Sequence, residues 1–363
     1  MKQLISPRYR DDGREAYQLT QVQVTARNRI VDKLLNGIYQ LENIQCPLCK
    51  SIRYQRLSEK DSFGIPSTVV LCTDCELVYN NPRLSESSLS SFYRDDYHEL
   101  DRALPSLESY YMLEYAKGER IYQFLDNLNL TDILNNKLIL EVGCGAGGVI
   151  GSFRDRGFSV MGCDLVPVNL QYGRDEKKLS LYYGRWSEVN EIAIQKSSDI
   201  GLVIYEQVFE HLADPRHELK KICQLLGPDS LLYIGVPGLR NIDNHYRSNF
   251  LRYLQLPHLV HYDLNHLVSM LQLEGLSLLG GNELVQAVFR KDNVVKYALP
   301  YYSDNTIAFL TGLEQRREKR AKLDFVRLIP HNLLKWLWHQ FIRLPLPNDL
   351  KIKIRYIWRN IFN

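Results

Sequence analysis

The sequence predicts an α/β fold built on a doubly wound, mostly parallel sheet of seven strands. Beyond residue 135, short apolar runs alternate with stretches of helical period, which is the pattern of a parallel sheet covered by helices. A glycine-rich turn separates the first run from the first helical stretch. The last two runs are joined by Gly280, Gly281 and Asn282, a connection that suits a hairpin and therefore predicts one antiparallel strand.

Seven apolar runs are the predicted strands, and two amphipathic stretches precede them. Residues 22–41 and 110–128 carry apolar side chains at helical spacing, which predicts two helices. Between them, a turn and a serine-rich linker that ends at Ser91 are predicted. We therefore expect an N-terminal module over residues 1–91, a sheet domain over 105–292 and a helical extension over 293–363. The predicted strands span residues 138–142, 159–163, 179–183, 200–205, 231–236, 276–279 and 284–289.

The chain has the size of an ordinary globular protein, but its charge is unevenly distributed. Of its 363 residues 45% are hydrophobic, and no run approaches the ~18 apolar residues that cross a bilayer. The N-terminal sequence does not contain the apolar core of a secretion signal, so a cytoplasmic protein is expected. Residues 314–363 contain twelve Lys and Arg against four Asp and Glu, or +8, which leaves −5 of the total +3 for residues 1–313.

The glycine-rich turn is a candidate ligand site. Gly143, Gly145 and Gly147 let the backbone approach a ligand where a side chain would clash, and the next helix offers unpaired amide donors. Asp164, at the tip of the second strand, can accept hydrogen bonds from two ribose hydroxyls. This order of strand, turn, helix, strand and acid predicts a cofactor that contains a nucleoside. A nicotinamide or flavin dinucleotide is the competing ligand at this stage.

Four segments in order resemble the motifs of class I methyltransferases. They are Glu141 to Gly147, Asp164, the run from Tyr205 to Pro215 that contains Glu210-His211, and the helix end, turn and strand from Leu225 to Pro237. The resemblance covers about residues 110–290 and implies S-adenosylmethionine as the cofactor, with Asp164 as the ribose-binding acid. The other implied contacts lie in the loop and at the strand ends: Glu141, Gly143, Cys144, Gly145, Gly147, Leu165 and Glu206.

The segment after the third strand departs from that family. Many members carry an acidic residue there that meets the adenine amino group, whereas this chain has Trp186 between Arg185 and Ser187. Trp186 is therefore a candidate for stacking on the purine face of the cofactor. A tryptophan buried in the core is the alternative.

Two histidines are the candidate catalytic residues. Methyl transfer from a sulfonium is an in-line displacement driven by the cation, so the protein mainly positions the acceptor and removes its proton. A histidine of near-neutral pKa suits that task. His211 follows the fourth strand, and His258 precedes a helix for which Asp263 is the predicted N-cap. The alternative for each histidine is a hydrogen-bonded structural role that closes the pocket.

Four of the seven cysteines form two Cys-x-x-Cys pairs, Cys46 with Cys49 and Cys72 with Cys75. Each pair can direct two thiolates at one ion, and two pairs complete a tetrahedral zinc site whose expected role is structural. A labile disulfide or free thiols are the alternatives. Together with the run Leu77 to Arg83, the cysteines resemble the N-terminal zinc module of methyltransferases from sugar and surface-polysaccharide pathways.

That resemblance implies a sugar or glycan acceptor, as an O-antigen, capsule or nucleotide-sugar intermediate. Deoxysugar C-methyltransferases share such a module but usually add a large second domain that this sequence does not contain, so carbon, oxygen and nitrogen stay open as the methylated atom. A ribosomal RNA methyltransferase with a zinc module is the main alternative. The negative charge of residues 1–313 disfavours it, because phosphate contacts dominate RNA affinity. A non-catalytic scaffold of the same fold is a further alternative.

The C-terminal extension combines basic and aromatic residues. A basic run extends from Arg316 to Lys322, and aromatic residues such as Trp336 and Trp358 lie among Lys and Arg beyond it. This composition suits an anionic membrane surface or a protein of glycan assembly, with residues 314–363 as the contact. Solvated helices that cover the sheet are the alternative, and nucleic acid is disfavoured as a partner.

Overall fold

The N-terminal part of the chain forms a small sheet and three helices. The computed structural model describes residues 4–101, 106–189, 192, 199–292 and 305–328. Apolar residues at helical spacing, capped by Thr20, form the predicted first helix, which ends at Leu35. In chain order the elements are α1 (Gln21–Leu35), β1 (Leu41–Glu42), β2 (Tyr54–Lys60), β3 (Pro66–Cys72), β4 (Val78–Asn80), β5 (Arg83–Leu84), α2 (Glu86–Asp95) and α3 (Tyr97–Asp101).

Alternating strands and helices follow, as the sequence predicts. They are α4 (Leu107–Asn127), β6 (Leu138–Val142), α5 (Gly148–Arg154), β7 (Ser159–Asp164), α6 (Pro167–Asp175), β8 (Leu181–Tyr183), β9 (Ile200–Glu206), α7 (Pro215–Leu225), β10 (Leu231–Gly235), α8 (Ile242–His245), α9 (Phe250–Tyr253), β11 (Val260–His261), α10 (Leu264–Gln272), β12 (Leu276–Gly281), β13 (Gln286–Lys291) and α11 (Thr306–Leu328).

The seven predicted strands form one sheet in the order β12-β13-β10-β9-β6-β7-β8. Strands β6 to β10 pair in parallel, whereas β13 is antiparallel to both β10 and β12. The predicted doubly wound, mostly parallel sheet is therefore confirmed, including its antiparallel strand. The strand order reverses between β6 and β9, and ligands of such sheets bind at the carboxyl ends of strands beside this reversal.

The hairpin between the last two strands differs in detail from the prediction. Gly280 and Gly281 lie inside β12, and the turn falls at Asn282 to Val285, where the Val285 amide donates to the Asn282 carbonyl at 3.0 Å. The Asn282 side chain organises this turn by accepting from the Leu284 amide at 3.0 Å. Gly280 serves packing instead, because a Cβ there would lie 2.6 Å from the Leu128 side chain.

The serine-rich stretch forms a helix rather than the predicted linker. Ser85 caps α2 by accepting from the Ser88 amide at 3.3 Å, and Leu89 and Phe92 are buried one turn apart. The apolar spacing of these two residues outweighs the turn tendency of the serines around them.

The N-terminal sheet and the central sheet domain are joined within one compact unit, Met1–Leu313. The small sheet has the order β11-β4-β3-β2, so its edge strand comes from a segment 180 residues farther along the chain. Val260 pairs with Tyr79, and His261 pairs with Val78. One continuous apolar core contains Tyr79 and Cys46 of the N-terminal part together with Phe209 of the sheet domain. Residues on both sides of the predicted boundary at residue 91 therefore contribute to the same apolar core.

The predicted extension is described only in part. A second compact unit spans Glu314–Asn363, and α11 carries its basic run from Arg316 to Lys322. Trp336, Trp358 and the other aromatic residues of the extension lie outside the described residues. No helix among the residues that are described has the length and apolar character needed to span a membrane. Contact of the extension with a membrane or an assembly protein stays a prediction.

Candidate active site and cysteine cluster

The glycine-rich turn lies between the end of β6 and the start of α5. Gly143, Gly145 and Gly147 have φ angles of 73°, 52° and 79°, which favour glycine over residues with a side chain. The Gly143 amide donates to the Cys163 carbonyl at 2.8 Å, so the turn is fixed to the end of β7. A Cβ on Gly147 would lie 2.7 Å from the Leu179 side chain. The predicted loop therefore has the close backbone packing that its glycines imply.

Asp164 is the last residue of β7 and lies directly beside this turn. Its Oδ2 accepts from the Gly145 amide at 2.8 Å, and its Oδ1 accepts from the Val166 amide at the same distance. These two bonds hold the half-buried carboxylate beside the loop. Leu165 follows on the surface and is 52% exposed. Cys144 is buried, so any contact that it makes with a ligand comes from its backbone.

The side chains of Glu141 and Trp186 are almost completely buried. Glu141 is 2% exposed, its Oε2 has no hydrogen-bond partner, and burial raises its pKa well above the ordinary value. The Trp186 indole is 9% exposed and donates to Glu218 at 2.5 Å, as does the Tyr205 hydroxyl. This placement of Trp186 agrees with the core alternative, because a largely buried indole presents little of its face to a purine.

Helix α4 supplies three side chains that sequence reasoning missed. The Tyr110 hydroxyl lies next to the position that a Cβ on Gly145 would take. The Lys117 ammonium lies 3.0 Å from Glu114 and 4.0 Å from Glu206 at the end of β9. Desolvation alone would lower the pKa of Lys117, but these two carboxylates outweigh it and raise that pKa. The helical period predicted α4, but it did not tell which polar residues turn inward.

Carboxyl groups predominate among the ionisable groups around the loop. Burial is the main cause that raises the pKa of Glu206 to about 7, with Lys117 opposing the rise and Glu114 adding to it. Glu141 responds to Glu114, Glu206 and Asp164, which places these carboxylates in one electrostatic neighbourhood. Such a site favours a cationic ligand group over a phosphate.

The two predicted catalytic histidines lie side by side. Their ring centroids are 4.8 Å apart, and both rings are largely buried. His211 Nδ1 lies 2.9 Å from the Pro257 carbonyl oxygen and 2.6 Å from the Tyr93 hydroxyl. Because a carbonyl can only accept, Nδ1 carries the proton in that contact, and Nε2 keeps its lone pair. Burial lowers the pKa of His211 to about 4, so this nitrogen is unprotonated at neutral pH but less basic than the histidine of near-neutral pKa that we predict.

Glu210 completes the cluster with the histidines. It is 2% exposed, neither carboxylate oxygen has a hydrogen-bond partner, and its Oε1 lies 3.7 Å from His211 Nε2. Burial raises the pKa of Glu210 to about 8. One ligand atom from each of Glu210, His211 and His258 lies within 4.8 Å of the others. The structure therefore provides a buried polar group without internal partners, which an acceptor molecule can satisfy.

The buried Glu210 gives an expected pH dependence of stability. In the folded state it keeps a proton up to about pH 8, whereas its ordinary value in an unfolded chain is 4.5. Folding therefore takes up a proton between these values, and this group lowers the free energy of unfolding by up to about 1.4 kcal/mol per pH unit as the pH rises through that window. Urea unfolding of Glu210→Gln between pH 6.5 and 8 is expected to give a shallower slope than wild type.

The matched control is Glu188→Gln, which removes an exposed carboxylate. It should leave the wild-type slope unchanged. Glu206, whose pKa is raised to about 7, contributes in the same direction in every variant, so the slope shrinks without vanishing. Equal slopes for Glu210→Gln and wild type would mean that Glu210 is ionised in the folded protein.

The four predicted metal ligands converge at one point. Their sulfur atoms lie within 4.8 Å of one another, with Cys46 and Cys75 at 3.5 Å and Cys49 and Cys72 at 3.5 Å. A tetrahedral zinc ion with Zn–S bonds of about 2.3 Å separates its sulfur ligands by about 3.8 Å. These distances fit such an ion and exceed the disulfide length of about 2.05 Å.

The two cysteine turns have the same local structure. The residue after each pair, Lys50 and Glu76, has a positive φ angle of 63° or 60°. Its amide donates at 3.0 Å to the carbonyl of the first cysteine, Cys46 or Cys72. The repeated turn directs both thiols of a pair to the same side, as a tetrathiolate site requires.

The second turn is also bonded to the sheet domain. His266 Nε2 lies 2.8 Å from the Cys75 carbonyl oxygen, and its Nδ1 lies 2.6 Å from Asp263. Asp263 is the N-cap of α10, as predicted, and accepts from the His266 amide at 2.9 Å. The His266 imidazole thus connects the second cysteine turn to helix α10.

Comparison with known proteins gives a match for the central segment. Residues 113–279 match a family model described as a methyltransferase domain. This segment is therefore similar to a methyltransferase domain. The C-methyltransferase NovU of Streptomyces niveus is 24% identical to this chain over 183 residues. A ubiquinone biosynthesis O-methyltransferase of Idiomarina loihiensis is 31% identical over 110 residues. These matches cover 50% and 29% of this chain but only 41% and 44% of the relatives, so the chain spans less than half of their length.

Solved structures give more distant matches to this domain. A TehB-like SAM-dependent methyltransferase from Corynebacterium glutamicum is 22% identical with a TM-score of 0.32, covering 49% of this chain and 99% of that chain. The plantazolicin methyltransferase BamL, in complex with a triazolic desmethylPZN analog and SAH, is 13% identical with a TM-score of 0.42, covering 64% and 87%. The sheet order and the family match together give the class I methyltransferase fold.

Proposed function

We propose that this protein transfers a methyl group from S-adenosylmethionine to a sugar or glycan intermediate. The observation that carries the proposal is the arrangement of the methyltransferase domain's loop, with Asp164 on one side and the Glu210-His211-His258 cluster near Lys117. The carboxyl groups of Glu114, Glu206 and Asp164 near the loop suit a sulfonium cation. The cluster supplies an unprotonated histidine nitrogen for the acceptor. The cysteine turns support the sugar assignment through their resemblance to the zinc module of sugar-pathway methyltransferases.

In this proposal, different residues bind the cofactor and position the acceptor. Asp164 and the loop would hold the cofactor, and the cluster would position the acceptor. His211 Nε2 would take the acceptor's proton as the methyl–sulfur bond of the cofactor breaks and the bond from methyl to acceptor forms, which leaves a neutral thioether, while Pro257 keeps the ring in the required tautomer. Zinc held by the four cysteines would contribute only structure, because an ion with four thiolate ligands has no open coordination position.

Cofactor binding is expected to depend strongly on Asp164. Each of two charge-assisted hydrogen bonds to ribose contributes about 1.5 to 3 kcal/mol, so Asp164→Asn should weaken S-adenosylmethionine binding by at least about 10-fold. Isothermal titration of the wild-type protein and the variant measures this difference. Asp175→Asn, an exposed aspartate at the end of α6, is the matched control and should bind as wild type does.

Two results would overturn the function. If the wild-type protein bound NADH but not S-adenosylmethionine at hundreds of micromolar, the cofactor assignment would fail. If it bound the cofactor but transferred no labelled methyl group to any of a panel of nucleotide sugars and lipid-linked glycans, the acceptor assignment would fail. A gel shift with ribosomal RNA that weakens with salt would favour the RNA alternative instead.

A further inference from the structure

The segment that carries the second histidine is held by residues 46–80, which contain both cysteine pairs and strands β2 to β4 and which we call the cysteine module. We refer to residues 254–261 as the histidine segment. On one side, the Ser62 amide donates to the Leu254 carbonyl at 2.8 Å, and the Leu256 amide donates to Asp61 Oδ2 at 3.0 Å. Asp61 and Ser62 lie in the turn between β2 and β3, so both contacts come from the N-terminal sheet.

A second residue of the module holds the other half of the segment. The Asn80 amide donates to the Leu259 carbonyl at 3.0 Å, and the Asn80 side chain donates to the Leu256 carbonyl at 3.2 Å. Its Oδ1 lies 3.3 Å from His261 Nε2. Asn80 ends β4, the strand that pairs with β11 and begins three residues after Cys75.

The residues between these anchors are the ones that set the histidine geometry. Asp61 and Asn80 hold the backbone at Leu256 and Leu259, and Pro257 and His258 lie between them. Pro257 supplies the carbonyl that orients His211, and His258 packs its ring against that of His211. A shift of either anchor therefore moves the contacts of His211 with Pro257 and His258, whereas its contact with Tyr93 comes from α2 and the cofactor loop depends on β6 and β7.

The anchors are rigid and sealed from water. Asp61 is 0% exposed, and Asn80 is 1% exposed. The Asp61 Oδ1 atom accepts from the Phe63 and Ile65 amides at 2.9 Å each, which fixes the carboxylate within its own turn. When one of these buried contacts is removed, water cannot replace it. The histidine segment is then no longer held at that position.

We propose that Asp61 and Asn80 are positioning residues, through which the cysteine module fixes the tautomer and orientation of His211 and the place of His258. The inference rests on the proposed function for its catalytic meaning. The module is then part of the transfer site and not only a stabilising attachment. Methyl transfer depends on it, whereas cofactor binding does not.

Asp61→Asn tests this proposal with a minimal change. The asparagine oxygen can still accept from Phe63 and Ile65, but its amide group opposes the Leu256 amide, donor against donor. The readout is the ¹⁵N spectrum of histidine side chains in the full-length, zinc-loaded protein, which distinguishes ring tautomers. We expect one Nδ1–H tautomer for His211 in wild type and a mixture in the variant. The affinity for S-adenosylhomocysteine should stay within about 2-fold of wild type, because the loop is untouched.

The matched control is Asp74→Asn in the same module. Asp74 forms an ion pair with Arg53 at the surface and provides none of the hydrogen bonds that hold the histidine segment, so its variant should give the wild-type spectrum. Asn80→Ser repeats the test from the other anchor and serves if Asp61→Asn does not fold. A folded Asp61→Asn with the wild-type tautomer would overturn the proposal. Failure of both variants to fold would also overturn it, because the two residues would then be structural.

The spectrum needs neither turnover nor an acceptor, so the two proposals can fail separately. A tautomer change in a protein that transfers no methyl group would leave the positioning role and remove the function. Methyl transfer at the wild-type rate by Asp61→Asn would support the proposed function and remove the positioning role. With an acceptor identified, we expect kcat of Asp61→Asn to fall by about 10-fold or more while KM for S-adenosylmethionine is unchanged.

Discussion

Cys72→Ser is expected to lower the free energy of unfolding by at least about 3 kcal/mol and to abolish the zinc binding that we predict for the four cysteines. Cys72 is fully buried at the end of β3, and its sulfur lies among the other three of the cluster. A serine hydroxyl is a poor zinc ligand, and the three remaining thiolates would be held together without a full tetrahedral set. Metal content by mass spectrometry and thermal unfolding by calorimetry measure the two effects.

The consequence should extend beyond the cysteine turns. Strand β4 follows Cys75 and pairs with β11, so the loss of the metal also loosens the histidine segment. Cys223→Ser is the matched control, because Cys223 lies on α7 outside the cluster. It should retain zinc and melt as wild type does. Wild-type protein that contains no zinc and melts at the same temperature as Cys72→Ser would show that the cysteines do not hold a structural metal.

Local patterns explain why much of the fold and part of the site could be predicted. Apolar runs of five to seven residues define strands by themselves, and the glycine turn and Asp164 are fixed by neighbouring segments of one strand-helix-strand unit. Cys46, Cys49, Cys72 and Cys75 are recognisable for the same reason, since their spacing alone brings the thiols of each pair together.

The remaining site residues depend on contacts between distant parts of the chain. Tyr93 meets His211 across 118 residues, and Asp61 meets Leu256 across 195. Nothing in the local sequence around Tyr93 or Asp61 indicates these partners. Lys117 and Glu114 are ordinary polar residues of an amphipathic helix until the packing of α4 turns them toward Glu206. For Trp186 the local sequence indicates a possible cofactor contact, but its hydrogen bond to Glu218 on α7 places the indole in the core.

His211→Asn is expected to lower kcat by about 100-fold or more, because positioned acid–base groups typically contribute a factor of about 10² to 10⁴. The asparagine removes Nε2, the unprotonated nitrogen that lies 3.7 Å from Glu210 Oε1, while its amide group can still donate to the Pro257 carbonyl. S-adenosylmethionine binding should be preserved, because the loop and Asp164 are fixed by other contacts. Transfer of a labelled methyl group to the sugar acceptor under single-turnover conditions measures the chemical step.

His217→Asn is the control for this change, since His217 is exposed on α7 six residues away in sequence. It should keep the wild-type rate. A wild-type rate for His211→Asn would assign the histidine to the structural alternative and leave Glu210 and His258 as the groups that remove the proton. A loss of both cofactor binding and rate would instead indicate that His211 maintains the pocket, since a base that acts only on the acceptor does not affect the binding of the methyl donor.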